Sequence, residues 1–326
     1  MLTHRIPVPW TNVYGLARTL MALGTAATLA LSSTTTLFRP VATLGDYPTC
    51  KGISSAGAFC LVPEDHIGWV QWLCVSFLIL AASGWRPQLT ALPHAYINFS
   101  VFTGIAIGDG GDQLAANLSL LLVLTALGDR RKWHWDVAAE APVTSSTTRV
   151  WALIGVTSLA VARLQMCFVY FQASIAKLPH AEWADGSAMY YWMNDSAFGA
   201  PGWLRPLVEP LVSNPMGVAI LTWVPLAIEI SLAAALLLPQ QIRWILLAAG
   251  VTFHLSIALI MGLWSFALSM WGGLVLLCMP LGGTIRRRYS PTRKLEESGE
   301  PSDKQDRTSS TVSSEDNPIS LAKTVR

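Results

Sequence analysis

Charge is what this sequence has least of. Asp, Glu, Lys and Arg make up 13% of the 326 residues, roughly half the ~25% usual in soluble globular domains. That deficit excludes a soluble enzyme or a disordered chain as an account of the whole. The net charge of +2 leaves no basic footprint for DNA or RNA, so nucleic acid is not an expected partner. There is no Walker loop, Rossmann glycine set, His-Glu-x-x-His or nucleophile elbow. No His/Cys grouping has metal-ligand spacing, and no internal repeat points to a transporter built from inverted halves.

What is present is apolar: 52% hydrophobic residues, 14 Trp and a mean hydropathy of +0.44. A hydrocarbon core of ~30 Å takes about 20 apolar residues per helix. Runs that reach or approach this cover residues 13–32, 67–84, 92–108, 114–127, 150–177, 216–238, 244–262 and 264–280. The last two form one apolar stretch from Trp244 to Pro280, too long for a single crossing, and predict a turn near Gly262-Leu263-Trp264. The run 114–127 is short and reads as a tilted or partly re-entrant segment after Gly108-Asp109-Gly110-Gly111-Asp112. The fold class is therefore all-α: a polytopic membrane bundle of about eight helices over residues 1–284. From 285 to 326 the composition turns to Ser, Thr, Pro and charge, which predicts a disordered tail.

Lys and Arg are unevenly shared between the loops. Arg5, Arg86, Arg130, Arg131, Lys132, Arg149, Arg243 and Arg286-Arg287-Arg288 fall on one side, against Arg39, Lys51 and Arg205 on the other. The positive-inside bias then predicts that both termini are cytoplasmic. Trp133, Trp135, Trp183, Tyr190, Tyr191 and Trp192 flank the spans as interfacial aromatics do. Arg18 interrupts the first apolar run, which favours a retained span over a cleaved leader. Cys74, Cys167 and Cys278 read as small apolar residues within spans. Cys50 and Cys60 share the first outer loop, where an oxidising compartment would allow a disulfide and two free thiols are the alternative.

Each ionisable group inside a span needs a partner or a task, because a charge at the bilayer centre costs about 2.5–3.5 kcal/mol on insertion scales. Arg18 is close enough to an end to snorkel. Arg163 and Glu229 lie at similar depth in consecutive spans, either as a structural ion pair or as substrate contacts. His254 and the polar Gln165 complete the set. Arg163, Tyr170 and Lys177 are spaced by seven and share one helix face with Ser174. Lys177 ends that stripe beneath Glu182, Trp183, Asp185 and Tyr190–Trp192. Two roles stay open for it: a snorkelling anchor, or an amine desolvated under aromatics that acts as a base. Asp109 and Asp112 could hold a cation, but helix capping is the simpler reading.

The segment Val169-Tyr170-Phe171-Gln172-Ala173-Ser174-Ile175-Ala176-Lys177-Leu178, followed by Trp183, Gly186 and Met189-Tyr190, resembles the signature of the vitamin K-dependent gamma-carboxylase membrane domain. That domain is also called the horizontally transferred transmembrane (HTTM) domain. Arg163 and Gln165 match an Arg-x-Gln before the signature; Glu229 and Phe253-His254 match positions in the next two spans. The resemblance covers about residues 12–280. Within the superfamily the sequence is similar to the sporulation-delaying protein B branch. The residues that carry this are Asn12-Val13-Tyr14-Gly15-Leu16-Ala17-Arg18, Gly108–Asp112, Asp129-Arg130-Arg131-Lys132-Trp133-His134-Trp135 and Glu182-Trp183 with Gly186 and Ala188–Trp192.

The resemblance implies a bacterial cytoplasmic-membrane protein that matures an exported antimicrobial peptide toxin, with the toxin precursor, a neighbouring maturation subunit and membrane lipids as partners. It further implies a reduced quinone of the vitamin K type as cofactor. Lys177 matches the carboxylase base, and Tyr170, Arg163 and His94 (in Pro93-His94-Ala95-Tyr96) are the other catalytic candidates. His254, Glu229 and Trp183 are the cofactor-binding candidates. The carboxylase has a large lumenal domain after its membrane helices, whereas this sequence passes into a short polar tail, so gamma-carboxylation itself does not follow. The competing reading is a non-enzymatic export, assembly or immunity partner of a peptide toxin.

Overall fold

The computed structural model describes residues 7–42, 45–136 and 145–285. Residues 286–326 of the tail expected to be disordered, Arg286–Arg288 among them, lie outside the described residues, as does Arg5. Within them are twelve α-helices and no strand beyond isolated bridges. They are α1 (Asn12–Leu31), α2 (Thr34–Leu37), α3 (Ile67–Ser83), α4 (Pro87–Gly104), α5 (Gly110–Leu127), α6 (Ser146–Lys177), α7 (Ala181–Ala184), α8 (Ala188–Asn194), α9 (Arg205–Val212), α10 (Pro215–Ala233), α11 (Gln240–Met261) and α12 (Trp264–Cys278).

Six of the long helices are long and apolar enough to cross a membrane: α1, α3, α5, α6, α10 and α11. The apolar α12 has only 15 residues, and α4 carries Pro93, His94 and Asn98. Eight crossings are compatible with this set. Residues face the way a lipid solvent demands. On α6, Leu164, Phe168 and Phe171 point outward while Arg163, Tyr170 and Ser174 are buried, an inversion that suits a helix with hydrocarbon outside and polar groups within.

Short connections fix antiparallel neighbours. Gly262, at φ +73°, ends α11 in the left-handed conformation that glycine adopts without a Cβ penalty, and α12 starts two residues later. The expected turn within the long apolar stretch is found there. α5 departs from expectation. The Asp109 carboxylate accepts from the backbone N–H of Gly111 and Asp112, while Asp112 accepts from Asp109 N–H. This reciprocal cap starts the helix four residues ahead of the apolar run, so the segment is one regular helix of 18 residues, long and apolar enough to cross a membrane.

The principal core is formed by α1, α5, α6, α11 and α12 around Met21, Leu118, Leu122, Met166 and Leu274. A second cluster joins α1, α3 and α4 to the loop that follows α1 through Leu78, Val101 and Phe59. That loop is closed by a disulfide between Cys50 and Cys60, with Cα atoms 5.5 Å apart. Cys74, Cys167 and Cys278 are free and buried. The bundle thus has a disulfide end, which also carries α7–α9, and a basic end bearing Arg86, Arg130, Arg131, Lys132 and Arg243.

Candidate functional site

The buried face of α6 carries the polar stripe from the bundle interior toward the disulfide end. Its last residue, Lys177, is bound to Glu229 of α10, with Nζ donating to both carboxylate oxygens at 2.5 Å. The Glu229 side chain is 6% exposed and that of Lys177 25%. The pair is therefore desolvated on the carboxylate side and open on the amine side. Trp183 covers the amine, its ring centroid 5.1 Å from Nζ, a distance at which the ring face attracts a cation. Lys177 is thus a paired amine at the end of its helix stripe, held by Glu229 rather than left free.

Trp183 is held by the segment that folds over this end of α6. Its carbonyl accepts from Trp223 Nε1 at 3.2 Å, and Met189 N–H donates to Thr222 Oγ1 at 3.2 Å. Between α7 and α8, Gly186 takes φ +84°, and a Cβ there would lie 3.3 Å from the Trp223 indole. Glycine is favoured for both reasons. At the exposed edge, the Ser187 hydroxyl and N–H hold the Asp185 carboxyl below the usual range. Tyr190, Tyr191, Trp192, Phe198 and Trp203 form an exposed aromatic rim.

Two turns back along α6, Tyr170 is fully buried and its hydroxyl lies 3.0 Å from His254 Nε2 on α11. Phe253 and Phe266 pack at 4.8 and 5.4 Å from the imidazole. The other ring nitrogen, Nδ1, is buried without a hydrogen-bond partner among the described residues. One turn further along α11, Ala258–Gly262 and Trp264 face Ala197, Gly199, Pro201 and Trp203 across a cleft of about 350 Å³.

Arg163 does not pair with Glu229. It reaches the end of α12 instead, donating from Nε to Leu276 O at 2.9 Å and from Nη2 to Leu277 O at 3.1 Å and to Met279 O. Gln240 Nε2 satisfies the neighbouring Cys278 O at 2.8 Å. The last carbonyls of a helix have no intrahelical partner and carry its negative dipole end, so a guanidinium from another helix fits both needs. The expected pair fails because equal depth does not set azimuth: Glu229 turns to Lys177 and Arg163 to the closing helix. Arg163 caps the end of α12.

His94 also stands apart. It is buried on α4 and bonded to Asn98 Nδ2 at 3.2 Å, and no hydrogen bond links it to Lys177, Tyr170 or His254 among the described residues. Arg18 does not snorkel: it is 1% exposed and donates to Thr90 Oγ1 at 3.1 Å. These residues belong to a second polar group, with His134, nearer the basic end.

The HTTM domain family matches residues 114–281. Over 86% of the chain the sequence is 35% identical to the uncharacterized protein YitO of Bacillus subtilis, covering 89% of that protein. It is 32% identical to the sporulation-delaying protein SdpB of Bacillus subtilis over 86% of the chain and 85% of SdpB. The chain belongs to the HTTM domain family, in the SdpB branch. No solved structure matches it. The HTTM match runs from α5 to just beyond α12, so it contains Lys177, Glu229, Trp183, Tyr170, His254 and Arg163. Arg18 and His94 precede it.

Three residues of this HTTM site have no place in the sequence reading: Thr222 and Trp223, which hold the covering segment, and Phe266, which with Phe253 encloses His254. Thr222-Trp223 had a legible signal, a polar and an amphipathic residue within the most apolar part of α10. For Phe266 there was none, since α12 is apolar throughout.

Proposed function

We propose that this chain is a multi-pass membrane component of a peptide-toxin system of the sporulation-delaying type, acting on the exported peptide at its disulfide end through Lys177. The observation that carries the reading is the Lys177–Glu229 pair under Trp183, open to the surface only on its amine side and built on the segment most similar to the carboxylase signature. The Lys/Arg bias orients this end outward, toward an exported peptide, with both termini cytoplasmic. The aromatic rim of Tyr190–Trp192, Phe198 and Trp203 offers a peptide-sized contact surface beside it.

A salt bridge and a base are not exclusive at this position. Both charges of a buried pair carry a desolvation penalty. Moving one proton from Nζ to the carboxylate converts the ion pair into an amine and a carboxylic acid without separating charge. Lys177 would then present a neutral nitrogen while still held by Glu229. Arg at this position would keep the charge and lose that option.

The carboxylase resemblance brings with it a reduced quinone, and the residues fit one. His254 offers a buried, unpartnered Nδ1, Tyr170 fixes its other nitrogen, and Trp183 offers a flat apolar face. When bound, such a group supplies an acidic hydroxyl for Lys177 to deprotonate. His254 and Trp183 would hold it, and Glu229 would orient the amine.

The test is intact-mass analysis of the toxin peptide co-expressed with wild-type protein, with Lys177→Arg or with Glu229→Gln. Both variants are expected to insert normally and to leave the peptide unmatured. A fully active Lys177→Arg would return the residue to anchoring. One observation favours the second reading, a non-enzymatic export or immunity partner: both carboxylate oxygens already engage the amine, as a purely structural pair would. On that reading, the peptide leaves the cell with an unchanged mass or fails to leave it. Orientation is tested separately: an impermeant thiol reagent should label Cys50 and Cys60 from outside intact cells only after reduction.

A further inference from the structure

A second buried polar group, nearer the basic end, is not used by the Lys177 reading. Its centre is Arg18 on α1. Nη2 donates to Thr90 Oγ1, while the buried Nη1 meets no acceptor among the described residues. The ion pairs among those residues are Arg131–Asp129 and Lys177–Glu229, and Asp65 lies beside His66; none includes Arg18. Asp129 is already committed: it takes Nε and Nη2 of Arg131 at 2.8 and 2.7 Å and the Tyr14 hydroxyl at 3.0 Å. Among the described residues Arg18 is therefore a buried guanidinium without a counter-charge, an arrangement that is strongly unfavourable by itself.

The groups around it are polar and neutral. Thr90, His94 and Asn98 follow one another at four-residue intervals on the buried face of α4. Asn98 Nδ2 serves Ala115 O and His94 Nε2, leaving its Oδ1 unpartnered. Thr19 Oγ1 donates to Ala82 O at 2.7 Å, so at 3.2 Å from it His134 Nε2 must be the donor. That leaves His134 Nδ1 as a bare lone pair, buried and unpartnered. Burial, with Arg18, Arg131 and His94 nearby, pushes His134 down to about 2, so this ring stays neutral. The unpartnered atoms are one cationic donor and two acceptors.

We propose that Arg18 anchors a binding site for a small monovalent oxyanion carrying its own O–H. The negative oxygen would pair with Arg18 Nη1, and the O–H would suit an acceptor of the kind offered by His134 Nδ1 or Asn98 Oδ1. The site is separate from the Lys177 pair and does not depend on the role of that pair. It also accounts for the Asp129–Trp135 segment, which tucks His134 into the bundle through paired backbone bonds, His134 N to Gly84 O and Arg86 N to Lys132 O.

The test uses the purified full chain in detergent, melted in a gluconate buffer with increasing hydrogencarbonate, formate or chloride. Hydrogencarbonate is expected to raise the Tm saturably, formate (which lacks the O–H) less, and chloride least. Arg18→Met keeps the aliphatic stem and removes the charge; it should weaken the apparent hydrogencarbonate affinity by at least about tenfold. Equal shifts with all three anions, or a shift retained in Arg18→Met, would overturn the proposal. If Arg18→Met does not fold, equilibrium dialysis of labelled hydrogencarbonate against the wild type decides: saturable binding supports the site, and no binding overturns it.

Discussion

Arg163 and Arg18 are both guanidinium groups buried within the bundle, and the fold treats them in opposite ways. Arg163 is met by three carbonyls at the end of α12. Among the described residues Arg18 is met by one hydroxyl and keeps a buried nitrogen unpartnered. The first arrangement is complete within the chain and explains itself as architecture. The second is incomplete among the described residues, which is the ground for the anion site proposed above. Burial alone, which the two share, does not separate a structural charge from a functional one; the partner list does.

Removing Arg163 should produce the largest effect. Arg163→Ala strips the end of α12 of its partners and is expected to cost about 3–5 kcal/mol, by analogy with breaking a buried charged contact. Loss of the monodisperse peak on size exclusion would report it. Arg18→Met, by contrast, should cost little or even stabilise the anion-free protein. Equal damage from both substitutions would erase the contrast between them.

Next in size is the Lys177–Glu229 pair. Glu229→Gln leaves an amine that is still partly solvated, so about 2 kcal/mol is expected, below the full cost of a stranded buried charge. Lys177→Met combined with Glu229→Leu should recover the thermal stability without recovering peptide maturation. Recovery of both would mark the pair as architecture, like Arg163.

Acidification sharpens the comparison from the basic end. His134 is neutral in the folded chain, with its pKa pushed from the ordinary 6.5 to about 2. Above pH 6.5 neither folded nor unfolded chain protonates it. Below 6.5 only the unfolded chain gains the proton, so stability falls as pH drops, by about 1.4 kcal/mol per unit from this group. His134→Gln should make the pH dependence of Tm below 6.5 shallower by that amount; an unchanged slope would show that His134 is protonated in the fold. The smallest effect is expected at Gly186→Ala, about 1 kcal/mol for a positive φ and a crowded Cβ, read as a modest drop in Tm.

Helix positions were legible in the sequence because lipid-sized apolar runs and glycine turns are local signals; Gly262 between α11 and α12 is the clearest. The α6 stripe was legible for the same reason, since a seven-residue spacing maps to one face. Partner choice was not. The depth of Arg163 and Glu229 could be counted along each helix, but which way each side chain turns depends on packing between helices distant in sequence. Arg18 was misjudged on the same ground. Its nearness to a helix end suggested escape to water, while the packing of α4 and of the loop containing His134 encloses it.

The chain also closes on itself. Asn12, at the start of α1, exchanges two hydrogen bonds with the backbone of Ile285, beyond the last helix, at 2.7 and 2.8 Å. α1 packs more extensively on α12 than on any other helix. α1 and α12, far apart in sequence, therefore complete each other, and Arg163 is satisfied only once α12 is in place. A polypeptide cut short during synthesis would sit in the membrane with a bare guanidinium and an uncovered first helix. Loss of α12 would thus be felt at two places at once, along the inner face of α1 and around Arg163.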